Sequence, residues 1–98
     1  MKFVKMLRSA NPNKKYDVYL QDNEGKEHKV TFGSEGYSDF TKHHEEARKA
    51  LYLGRHRHRE NWTESGVLTP GFWARWTLWN LPTISASLHD VRRRFHLG

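Results

Sequence analysis

The sequence predicts a single α+β domain over residues 1–98. A small antiparallel β-meander occupies residues 1–36, and a helical part with an aromatic core and about three helices occupies residues 37–98. Three observations predict it. Apolar and polar residues alternate with period two through the first third of the chain. Helix-start chemistry then appears near Asp39 and recurs at Thr69 and Thr83. Three of the four tryptophans, Trp73, Trp76 and Trp79, fall within one short stretch, "TPGFWARWTLWNLPT".

The strands come first. "YDVYLQ" sets Tyr16, Val18 and Leu20 against Asp17, Tyr19 and Gln21, and "EHKVTF" sets His28, Val30 and Phe32 against polar residues. "DNEGK" between them is turn chemistry, with Gly25 free to adopt positive φ. A first strand around Phe3–Leu7 pairs back across the "NPNK" turn. One face of this meander is expected to be packed and the other wet.

The glycines of "FGSEGYSDF" end the strand pattern, and either Asp39 or Thr41 is the cap of a helix expected over residues 42–59. Ala47, Ala50, Leu51 and Gly54 share one face of it, and their small size predicts close packing there. Thr69 as cap with Pro70 at the first helical position starts a second helix, which Asn80 and Pro82 stop after some ten residues. Thr83 caps a third, where Ile84, Leu88, Val91 and Phe95 form an apolar stripe.

On a helix turning about 100° per residue, Phe72, Trp76 and Trp79 lie within about 60° of one another, with Trp73 beside them. That face is expected to be core, and Trp62 belongs to the same aromatic set. The opposite side carries Ala74, Thr77 and Leu78, with Arg75 as its single charge. A helix apolar nearly all round needs cover on more than one side, so the Leu78 side suits a partner surface as well as internal packing. Base stacking on these rings is disfavoured, because stacking platforms sit on sheets or open loops.

Charge is unevenly divided. The net charge is +6, yet all eight lysines lie in residues 1–49, whereas residues 50–98 hold seven arginines, no lysine and three acids. Arginine makes planar, bidentate contacts to phosphate and carboxylate, which makes the second half the contact half. Arg55, His56, Arg57, His58 and Arg59 form one basic end, and Arg92, Arg93 and Arg94 another. Each is a candidate contact to a polyanion or an acidic partner, and equally a set of cations complementing a helix C-terminus.

Other chemistries lack their signatures. With no cysteine there is no disulfide framework and no thiolate metal site. The histidines lack the i, i+4 pairing and nearby carboxylate of zinc motifs, so no metal is expected. "GSEG" lacks the lysine of a phosphate-binding loop, and no nucleophile motif occurs, so neither an enzyme nor a cofactor is expected. No signal peptide or membrane span is expected either.

The run "RHRHRENWTESGVLTPGFWARWTLWNLPTISASL", with "VTFGSEGYSDFTKH" upstream, resembles a family of short uncharacterised proteins of large double-stranded DNA viruses and some phages. The resemblance covers about residues 16–95, including Gly33, Tyr37, Asp39, Arg55, Trp62, Gly71 and Trp79, and brings no known site residues with it. It implies a location in the virion, and in the host cytoplasm during assembly. One expectation is a virion structural protein, a minor capsid, cement or internal component that self-associates or docks on other virion proteins. The alternative is a nucleic-acid-binding accessory protein of replication or packaging.

Overall fold

A computed structural model describes residues 1–98. Strands β1 (Lys2–Arg8), β2 (Lys14–Gln21) and β3 (Glu27–Ser34) form an antiparallel sheet with β2 in the centre. Helices follow: α1 (Phe40–His43), α2 (Glu46–His56), α3 (Pro70–Trp73) and α4 (Ile84–Arg94). The α+β meander-then-helices order matches the sequence expectation.

Register explains which sheet face is dry. Val18 pairs with Met6 and Val30, Tyr16 with Phe32 and Leu20 with Phe3, so each of these even positions of β2 meets an apolar partner on at least one side. Val18, Leu20, Val30 and Phe32 are buried there. A bulge between Phe3 and Lys5 shifts the β1 register. On the odd positions, Asp17 accepts hydrogen bonds from Ser9 (2.9 Å) and Thr31 (2.8 Å), which satisfies a carboxylate with little access to water.

The helix expected over residues 42–59 is instead two. Asp39 caps α1, accepting from the Thr41 amide at 3.0 Å, so Asp39 rather than Thr41 is the cap. His44 is left-handed (φ 55°) and donates its amide to Phe40, which ends α1 before α2 begins. α2 stops at His56, leaving Arg57, His58 and Arg59 in the turn beyond it.

The face of α2 is also corrected. Ala47, Ala50, Leu51 and Gly54 are exposed, Leu51 by 64%. Larger side chains attach the helix through its other side. Tyr52 stacks on Trp79 with ring centroids 4.3 Å apart and planes 5° from parallel. Lys49 donates to the Asn80 carbonyl at 2.6 Å and lies 4.8 Å over the Phe40 ring.

Thr69 caps α3 as expected, accepting from the Phe72 amide. The segment then widens into a π turn, Ala74–Leu78, closed by a hydrogen bond from the Trp79 amide to the Ala74 carbonyl. An i→i+5 turn advances less per residue than an α-helix, so Leu78 comes round toward the side occupied by Trp73. Phe72, Trp73 and Leu78 are consequently buried, Leu78 to 3% exposure, while Trp76 and Trp79 are only half-buried. Leu78 is therefore core and not a partner surface, and of the expected core face only Phe72 is fully enclosed.

α4 behaves as its stripe predicts. Thr83 caps it at 3.1 Å, Val91 is buried, and Ile84, Leu88 and Phe95 pack on the core. The chain then returns to the sheet, where the Phe3 amide donates to the Leu97 carbonyl at 2.7 Å.

These positions rank the substitutions. Trp73→Ala is expected to lose about 3–5 kcal/mol, enough to abolish a cooperative melt in a small domain. Leu78→Glu forces a carboxylate into the core and is expected to unfold the protein as well. Trp76→Ala, at a half-buried site, is expected to melt cooperatively at reduced temperature. Thermal melts followed by circular dichroism check this order, and a well-folded Leu78→Glu protein would contradict it.

Candidate anion-binding groove

A groove of about 600 Å³ opens between the end of β2–β3, α2 and the α3–π segment. Its floor depends on Gly33. That residue has φ 79°, and an added Cβ would sit 3.0 Å from both Leu78 and Lys15. A side chain there would be strained and crowded at once.

Beside Gly33 lies a buried ion pair. Lys15 donates to Asp39 Oδ2 at 2.5 Å and to the Tyr37 carbonyl at 2.6 Å, and both charged side chains are at most 4% exposed. The second Asp39 oxygen accepts from the Thr41 amide and hydroxyl. Both charged groups are thus engaged, as burial of charge requires. This pair pins the 35–39 connector to β2.

One groove wall is α2. Tyr52, between Trp79 and His56, makes a three-ring stack, with its ring 4.3 Å from that of His56. Burial pushes the Tyr52 hydroxyl up to about 12, the Glu60 carboxylate adds to the rise, and Arg75 opposes it. The phenol is a neutral hydroxyl at neutral pH. Glu60 pairs with His56 at 3.7 Å and fills the space where Gly71 lacks a side chain. His43 accepts the Glu45 amide on Nδ1, which leaves its buried Nε2 proton without a partner close to the Trp79 ring.

Electrostatically the groove favours anions. Lys15 and Asp39 cancel each other in their buried pair, which leaves Lys14, Arg48 and Arg55 lining the groove against the single carboxylate of Glu60, 3.7 Å from the His56 ring. Arg55 and Lys14 form no ion pair, and Arg48 has only an exposed one with Glu45 at 3.3 Å. No three histidine, aspartate or glutamate side chains converge as a metal site.

The basic clusters read from sequence therefore divide. Arg55 and His56 line the groove, while Arg57, His58 and Arg59 project into solvent from the adjoining turn. Arg92, Arg93 and Arg94 lie apart on α4. Arg92 lies 4.6 Å over Phe3, and Arg93 and Arg94 pair with Asp90 at 3.2 and 3.3 Å. Arg94 also lies 4.6 Å over the Trp76 ring, and Arg75 lies 4.3 Å from it. Burial, and then the neighbouring Arg94, lowers the Arg75 pKa, although its guanidinium donates to the Trp79 carbonyl at 2.8 Å. Trp62 lies 5.6 Å from Arg75 and accepts the Trp76 indole proton on its carbonyl, so it braces the core from outside. Lys14 and Arg48 are groove residues that the sequence reading does not single out, and it names Tyr37 only among the positions of the resemblance. The one available signal is Tyr37 itself, a large ring in the glycine-flanked "GSEGYS" loop.

Of the three carboxylates with depressed pKa values, Asp17, Asp22 and Asp90, the buried Asp90 and Asp17 couple the fold to acid. Burial would raise the Asp90 pKa, but the hydrogen bond from Asn80 at 2.9 Å and the charges of Arg94 and Arg93 outweigh it and hold it below the usual carboxylate value. The Thr31 hydrogen bond, against opposition from burial, likewise holds Asp17 below that value, with Ser9 and Lys29 assisting. Depressed values stabilise the fold above the unfolded-state pKa, and that stabilisation is lost as pH falls through the folded one. Melting temperature is therefore expected to change little from neutrality down to about pH 5 and to fall below about pH 4. Asp90→Asn should melt lower at pH 7 and show a shallower acid decline, and an unchanged decline would contradict this assignment.

No curated protein and no solved structure matches the chain. One family model, described as a family of unknown function (DUF5754), matches residues 4–56. The match takes in the sheet from early β1 and all of β2, β3, α1 and α2, and so the Lys14, Tyr37, Arg48 and Arg55 walls of the groove. Spanning more than half of the chain, it makes this protein a member of that family of unknown function, DUF5754.

Proposed function

We propose that the protein is a nucleic-acid-binding accessory protein. In the viral setting suggested by its sequence resemblance, it would act in genome replication or packaging. The observation that carries this reading is the set of cations without carboxylate partners around one opening. Arg55 and Lys14 in the groove, and Arg57 and Arg59 beside it, form no ion pair. Unpaired arginines and lysines on one side of a small basic domain attract phosphate by releasing its counterions. The cations of α4 contribute less, because Arg93 and Arg94 share Asp90.

A second reading, docking on other virion proteins, has one observation of its own. Leu78 is core and gives it no support, but the Ala47, Ala50, Leu51 and Gly54 face of α2 is exposed. Under that reading the protein is stoichiometric in purified particles, and Leu51→Glu removes it from them.

No helix is long and apolar enough to cross a membrane.

Changing Arg55, Arg57 and Arg59 together to Gln is expected to weaken binding to duplex DNA. The slope of log affinity against log salt should fall by about 0.9 for each phosphate that the variant no longer neutralises. Fluorescence anisotropy across a salt series measures both. An unchanged slope would remove this basic end from the interface.

A further inference from the structure

The groove holds one feature that simple charge attraction does not use. Tyr37 is 72% exposed, the most exposed of the large hydrophobic side chains. Its backbone is nonetheless fixed. Its carbonyl accepts from buried Lys15, its amide donates to Ser34 at 3.4 Å, and Asp39, two residues on, is locked in the Lys15 pair. A large ring presented to water from an anchored loop is arranged for contact with a flat partner, and an open loop beside a sheet is where stacking platforms occur.

Tyr37 lines the groove together with Lys14, Arg48 and Arg55, and with Ser34 and Ser38. Resting on the nucleic-acid reading above, we propose that the groove takes single-stranded nucleic acid: an unpaired base stacks on Tyr37 while its phosphate lies among Lys14, Arg48 and Arg55. The volume of about 600 Å³ is in the ordinary range for one small ligand. A duplex keeps its base faces covered by their neighbours and offers the tyrosine only edges and backbone. Single strands expose the face that an aromatic ring binds. The groove therefore discriminates by strandedness, and the solvent-projecting Arg57 and Arg59 contact backbone phosphate of either form.

The test compares a fluorescently labelled oligothymidylate with its duplex on oligoadenylate, by anisotropy across a salt series. The parent protein binds the single strand more tightly. Tyr37→Leu weakens single-strand binding by about tenfold with an unchanged salt slope, and Tyr37→Trp restores it. Lys14→Gln with Arg48→Gln lowers the single-strand slope by about 0.7 for each phosphate set free. Lys26→Gln, in the β2–β3 turn, leaves single-strand binding at the parental level. Tyr37, Arg48 and Lys26 are exposed and Lys14 is half-buried, and melts at the parental temperature confirm that the variants fold. Equal affinity for both forms, or Tyr37→Leu indistinguishable from the parent, overturns this inference and leaves the nucleic-acid reading standing. Binding to neither form overturns both. Displacement of the strand by a phosphoserine peptide but not by thymidine monophosphate overturns the inference in favour of a phosphopeptide site.

Discussion

A five-residue π turn, Ala74–Leu78, sets the placement of nearly everything around it. Its wider winding turns Leu78 toward the sheet alongside Trp73 and directs Trp79 toward α2. Leu78 meets Gly33, and only a glycine at φ 79° leaves room for it. Trp79 meets Tyr52, and that stack is the main attachment of a helix with no buried residue of its own. The groove is the space these two contacts leave between them. A straight α-helix from Pro70 would turn Leu78 away from the sheet and leave α2 without its ring partner.

Charge follows the same division. Arginines near the core are occupied by aromatic faces, carbonyls or Asp90: Arg75 on Trp76 and the Trp79 carbonyl, Arg92 on Phe3, Arg94 on Trp76 and Asp90. Such contacts brace the small aromatic core from outside, each adding about 0.5–1 kcal/mol where the site is exposed. Arg55, Arg57 and Arg59 have no such employment. The basic end that sequence composition singles out is thus the one that folding leaves available, whereas the α4 cluster is largely consumed by the fold.

Much of this is legible in the chain. The strands, the turn at Gly25, the caps Thr69 and Thr83 and the α4 stripe all follow from rules that act over a few residues. The split of the expected 42–59 helix and the misplaced Leu78 share one physical cause. Periodicity arguments assume a fixed angle per residue, and the chain breaks that assumption at left-handed His44 and again in the π turn. Small residues on α2 suggest close packing, but Tyr52 and Lys49, whose long side chains reach across a gap, make the attachment instead. The groove is not legible because Lys14, Tyr37, Arg48 and Arg55 come from separate strand, loop and helix segments. Nothing local announces that they meet.

The most direct measurement is a heteronuclear NMR titration of isotope-labelled protein with an unlabelled oligothymidylate strand. The account predicts shifts concentrated at the amides of Lys14, Tyr37, Arg48 and Arg55 and at the Trp79 indole, with the outer α2 face at Ala47, Ala50 and Leu51 unmoved. Shifts confined to Arg92, Arg93 and Arg94, or to that outer face, would contradict it.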